Sequence, residues 1–142
     1  MKAILCALDF SEASENIVKQ AMDMAMQRGG GLIVLYAYRL IQPMEGSMVD
    51  YRNSMEERAG RNFEAIMNRI EMNGSVPYEF RTEIGFLSDR VEDFTKRNTV
   101  DLIVMGQNLA RTINEHRGMT FEHFLDTVNL PVLVVPARKV VE

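Results

Sequence analysis

The chain has 142 residues, 46% hydrophobic and 25% charged, with a formal net charge of −4. That is the length and make-up of one globular domain, so residues 1–142 are taken as a single unit whose core needs neither metal nor disulfide. The acidic balance, and apolar runs far short of the roughly 20 residues a spanning helix needs, argue against nucleic-acid and membrane partners.

Strands and helices alternate. Ala3 to Leu8 is a short continuous apolar run, the pattern of a strand buried on both faces. It holds the lone cysteine, Cys6, which reads as a small buried hydrophobe in a reducing cytoplasm. Asp9 and Ser11 then offer cap chemistry to a helix marked by Ile17, Ala21, Met24 and Ala25 and stopped by Gly29, Gly30 and Gly31. Leu32 to Tyr38 is a second buried strand, and Arg39 to about Asn53, with Pro43, Gly46 and Ser47, reads as a surface loop. Met55, Ala59, Phe63, Ile66 and Ile70 predict a long amphipathic helix closed by Asn73, Gly74 and Pro77. Tyr78 to Ile84 alternates apolar and polar residues, which predicts a strand at a sheet edge. Leu87, Val91 and Phe94 carry a third helix, and Leu102 to Met105 is a fourth strand. Phe121, Phe124, Leu125 and Val128 carry a fourth helix with Thr120 as its N-cap, before a last strand from Pro131 to Val135. Such alternation with right-handed crossovers gives an α/β fold, a doubly wound parallel sheet with helices on both faces.

Ligands of open α/β sheets bind outside the carboxyl ends of the strands, so the strand exits carry the candidate chemistry. Asp9, after the first strand, suits either a ligand acceptor or an Asx turn. Gly106, after Met105, allows close backbone approach, and Gly118-Met119-Thr120 opens a helix whose N–H groups favour an anion. A phospho-acceptor site fails because the third strand ends at Ile84 and Gly85 with no aspartate. No G-x-G-x-x-G or G-x-x-x-x-G-K-[ST] cradle occurs, and His116 and His123 lack metal-site companions. No catalytic residue and no metal ligand is assigned. The methionines, with Met22, Met24 and Met26 on one helix and Met55 and Met67 on another, read mostly as core or flank.

Three segments carry a family likeness: Ile4-Leu5-Cys6-Ala7-Leu8-Asp9-Phe10-Ser11-Glu12, Asp101-Leu102-Ile103-Val104-Met105-Gly106, and Pro131-Val132-Leu133-Val134-Val135-Pro136. Together, in this order and spacing, they resemble universal stress proteins over essentially the whole chain. The resemblance implies a five-stranded sheet of order 3-2-1-4-5 and a homodimer through the last strand, Val132, Leu133, Val134 and Val135. It also implies adenine and ribose against Ala7, Asp9, Ala37, Met105 and Gly106, with phosphates on a G-x2-G-x9-G-[ST] loop.

The loop departs from that pattern. Counted from Gly106, the second glycine falls on Leu109 and the third on Met119, with Thr120 as the hydroxyl residue. Counted back from Pro131, Gly118 is the third glycine and Met119 stands where Ser or Thr belongs. A phosphate nest needs backbone N–H groups with no side chain in the way. Losing two or three such donors, at roughly 1.5–3 kcal/mol each, turns micromolar binding into millimolar. Leu109→Gly is then expected to strengthen binding, with Arg111 and Arg117 as partial substitutes. The expectation is a cytoplasmic, dimeric stress-response module that acts by binding partners, with a degenerate site holding ATP or another adenine nucleotide weakly. The alternative is an adenine-nucleotide binder acting as a slow ATP hydrolase or switch. An unrelated enzyme using His116 ranks below both.

Overall fold

The computed structural model of the chain describes residues 3–40, 46–70, 76–115 and 118–137. Strand β1 (Ala3–Leu8) is followed by α1 (Ser14–Arg28), β2 (Gly31–Tyr38), α2 (Met48–Arg69) and β3 (Tyr78–Ile84). Then come α3 (Leu87–Arg97), β4 (Val100–Gly106), α4 (Gln107–Thr112) running into a 3-10 turn (Ile113–Glu115), α5 (Phe121–Val128) and β5 (Val132–Val135). The sheet has order β3-β2-β1-β4-β5, and every strand pair is parallel.

The run Ala3 to Leu8 is apolar throughout because both of its faces are covered. Ile4, Cys6 and Leu8 meet the α1–α2 layer, while Leu5 and Ala7 meet the α3–α5 layer. Burial pushes the Cys6 thiol up to about 12. The alternation of Tyr78 to Ile84 has its expected cause, since β3 forms one edge of the sheet. Glu79 and Arg81 pair on that strand at 3.2 Å, and β5 forms the opposite edge.

Four local expectations change. Asp9 and Ser11 do not cap α1, which starts at Ser14 behind Ala13; the Ser11 N–H donates instead to Asp9 Oδ1 at 3.0 Å, an Asx turn. Gly31 belongs to β2 rather than to the helix stop. The stretch read as a loop to Asn53 is shorter, because Ser47 Oγ accepts from the Asp50 N–H at 3.1 Å and starts α2 at Met48. Finally, the segment after Gly106 is helical: α4 follows β4 directly and seats Leu109 and Ala110 in the core, and the 3-10 turn after it seats Ile113 there. Pro43, Asn73, Gly74, His116 and Arg117 lie outside the described residues.

Candidate functional site

Strand order reverses between β1 and β4, and the residues leaving these strands are already engaged. Asp9 Oδ1 accepts from the Ser11 N–H at 3.0 Å and from Ser14 Oγ at 3.5 Å, so the carboxylate closes its own turn. Phe10 completes that turn with φ 57°, a left-handed conformation that a bulky side chain adopts only when its surroundings hold it. Its ring is held edge-on to Tyr36 at 5.0 Å and to Phe80 at 6.1 Å. Gly106 has an ordinary negative φ of −78°, and its missing Cβ serves packing. A methyl there would stand 2.6 Å from Ile17 Cδ1, inside van der Waals contact. The approach to Gly106 from the α1 side is therefore filled by protein. Ala7 and Met105, register partners, are fully buried against the α3–α5 layer.

The concave surface lies one step to the side, at the exits of β2 and β3. A solvent-open cleft of about 460 Å³ has Ala37, Tyr38 and Arg39 at its base. The β3–α3 turn, Gly85 to Ser88, forms one wall, and Leu109, Thr112, Ile113 and Glu115 form the other. The Gly85 N–H donates to the Tyr38 carbonyl at 2.8 Å, which ties the two strand exits together. Gly85 has φ 138°, and a Cβ there would touch the Arg90 side chain at 3.0 Å, so both conformation and space call for glycine. The Arg39 guanidinium carbon stands 4.8 Å from the centroid of the Phe86 ring, a cation–π contact at the mouth. Thr112 Oγ1 donates to the Leu109 carbonyl at 2.6 Å within α4. Of the residues expected at a nucleotide site, the structure brings Ala37 and Leu109 together here. Gly118, with φ 74°, and the half-buried Met119 lie toward α5, and Thr120 caps that helix by accepting from the His123 N–H at 3.0 Å.

The sequence did not flag the polar cluster where β2 meets α2. Tyr38 Oη donates to Glu56 Oε2 at 2.7 Å, and Arg52 Nε donates to the same oxygen at 3.1 Å. These hydrogen bonds, Tyr38 first, hold the Glu56 carboxyl below its ordinary range. Burial first, then Glu56, pushes the Tyr38 phenol up to about 12. Burial also raises neighbouring Tyr36, with Tyr51 adding to it. The alternation of Tyr36 and Tyr38 on β2, which puts both phenols on the α2 side, was the available signal. A second hollow of about 370 Å³ opens between the start of α1 and α2, where Arg69 pairs with Glu15 across it. Among the described residues no group of three His, Cys, Asp or Glu side chains is placed to hold a metal ion. No helix among them is long and apolar enough to cross a membrane.

A family model described as the universal stress protein family matches residues 1–136. Solved structures share the fold. A universal stress protein family member from Burkholderia pseudomallei is 22% identical with a TM-score of 0.71, covering 95% of this chain and 96% of its own. A universal stress protein in complex with cAMP is 20% identical with a TM-score of 0.61, covering 94% of this chain and 95% of its own. One from Archaeoglobus fulgidus in complex with dAMP is 17% identical with a TM-score of 0.65, covering 95% and 98%. No curated protein matches the chain.

Proposed function

Since the chain belongs to the universal stress protein family, we propose that it is a cytoplasmic, single-domain stress-response module that acts as a homodimer by binding partners, with an adenine nucleotide as a weak ligand. One observation carries the weak-ligand part. The stretch where a glycine-lined phosphate loop belongs begins as the helix α4, and Leu109 there is 9% exposed, at once core and cleft wall. The N–H groups without an intrahelical partner there are those of the first turn, and the buried Leu109 side chain stands among them where the loop's second glycine would leave bare main chain. The open cleft beside Ala37, together with neighbours crystallised with cAMP and dAMP, supports an adenine nucleotide without that loop. The same cleft favours the second reading, in which nucleotide occupancy switches the module.

The homodimer rests on the β5 edge. Val132, Leu133 and Val134 are only half-buried, and an unpaired apolar strand edge is a surface that soluble proteins cover. Because the Ile103 N–H donates to the Pro131 carbonyl, the alternation of a parallel ladder turns the N–H groups of Val132 and Val134 outward. Val134→Pro should therefore shift the mass measured by light scattering from two chains to one while leaving the β4–β5 pairing in place. A monomeric wild-type chain would sink the dimer. Thermal shift with magnesium and ATP, AMP or cAMP tests the ligand. Micromolar ATP with an ordered triphosphate along residues 106–120 would overturn the degenerate site, and no response to any of the three would remove nucleotide altogether.

A further inference from the structure

The β3–α3 wall of the cleft carries more hydrogen-bond donors than the fold uses. Phe86 occupies the N-cap of α3 and has no side-chain oxygen to offer the first turn. The N–H groups of Leu87 and Ser88 lie in that turn, where no intrahelical carbonyl is available. Ser88 is 1% exposed and lines the cleft, and its Oγ has no hydrogen-bond partner among the described residues. A buried hydroxyl without a partner destabilises the protein that contains it. Serine hydroxyls exchange between staggered positions without moving the backbone, so this one can turn toward a ligand. Arg39 supplies a cation at the same turn, over Phe86. Opposite stand the apolar side chains of Leu109 and Ile113.

We propose that the first turn of α3, with Ser88 Oγ and Arg39, is an anion site of this cleft that takes one phosphoryl group of a phosphate monoester, the rest of the ligand lying against Leu109 and Ile113. Backbone N–H groups, a hydroxyl and a guanidinium at the positive end of an 11-residue helix are the donor types that hold an oxyanion. The acids nearest the site are Asp89 in the first turn and Glu115 on the far wall. Their charge restricts the site to a single phosphoryl group rather than a chain of them. The inference goes beyond the nucleotide reading, because it assigns the phosphate to α3 instead of the segment after Gly106 and does not depend on the base.

The test titrates AMP and adenosine, at fixed ionic strength, into the wild-type chain, Ser88→Ala and Arg39→Gln by calorimetry. A parallel 15N NMR titration of all three uses inorganic phosphate. AMP should bind about tenfold tighter than adenosine, one charge-assisted contact's worth. Each variant should remove most of that advantage and leave adenosine unchanged, while phosphate moves the Leu87 and Ser88 amide resonances. Equal affinities for AMP and adenosine, or variants that weaken both alike, overturn the anion site and leave the nucleotide reading standing. If neither compound binds, the nucleotide reading fails and the phosphate titration decides alone. Saturable shifts at Leu87 and Ser88 that weaken in Arg39→Gln sustain the anion site, and their absence overturns it.

Discussion

Whether Gly106 is a glycine for the ligand or for the fold can be settled by a double-mutant cycle with Ile17. A Cβ at residue 106 would stand 2.6 Å from Ile17 Cδ1 and 3.7 Å from Cγ1, so a single methyl causes the clash. Ile17 is 2% exposed and wedged in the α1–α2 core, which limits how far it can yield. Overpacking of this kind costs about 1–3 kcal/mol, so Gly106→Ala should lower stability by that amount. Ile17→Val deletes Cδ1 and alone costs about 0.5–1.5 kcal/mol. In the double variant the new methyl occupies the space just vacated, and the two costs should fall short of additive by about 1 kcal/mol or more. Urea unfolding of the four proteins, with the slope checked for constancy, gives the coupling. Strict additivity, or a Gly106→Ala variant as stable as wild type, would refute the packing account and return Gly106 to the ligand.

Three further outcomes are expected. Leu109→Gly, which the sequence alone recommends as opening a phosphate nest, should instead lower stability by about 3–5 kcal/mol, a buried leucine plus a helix-interior glycine. Tighter ATP binding at an unchanged melting temperature would show that the side chain only obstructs. Ser88→Ala should stabilise the chain by about 1 kcal/mol or more, by removing an unpartnered buried hydroxyl and improving helix propensity. A drop in melting temperature would mean that the hydroxyl is satisfied. The Tyr38–Glu56 bond gives a signed pH dependence. Because folding lowers the Glu56 pKa, its contribution is present above the ordinary glutamate range and is lost as pH falls through the folded value. Tyr38→Phe removes the largest cause, so urea stability of the two proteins should differ at neutral pH and converge as the pH falls below the ordinary glutamate range; a gap that widens in acid contradicts the assignment. Because folding raises the Tyr38 pKa, the phenol's share persists below pH 10 and is lost toward about 12, which absorbance titration at high pH follows.

The fold was legible because its signals are long-range in consequence but local in sequence. Continuous apolar runs at Ala3 to Leu8 and in β4 require two covered faces, and the alternation of β3 requires an edge. The local misses fall at element ends and in short elements, where apolar periodicity is too brief or absent to mark the boundary. Ser47 and Asp50 held the cap signal for α2, yet the exposed Met48 and Val49 after it have no apolar spacing to announce a helix. Leu109, Ala110 and Ile113 sit at helical intervals, but one turn and a half is too little for a pattern to stand out. The site was less legible. Which strand exit stays open depends on what neighbouring helices fill, and nothing in the sequence says that Ile17 occupies the space beside Gly106. Nor could Ser88 be singled out, because a partnerless hydroxyl is a property of its surroundings.

The sheet's two rims are chemically unlike. Along β3 the margin is studded with Glu79, Arg81 and Glu83, whose charges repel a docking strand, whereas β5 presents valines and a leucine. A molecule with one welcoming rim and one forbidding rim cannot grow into a ribbon. In the proposed homodimer the aliphatic rim is used up by the partner, which leaves only the charged rim exposed and stops propagation at two.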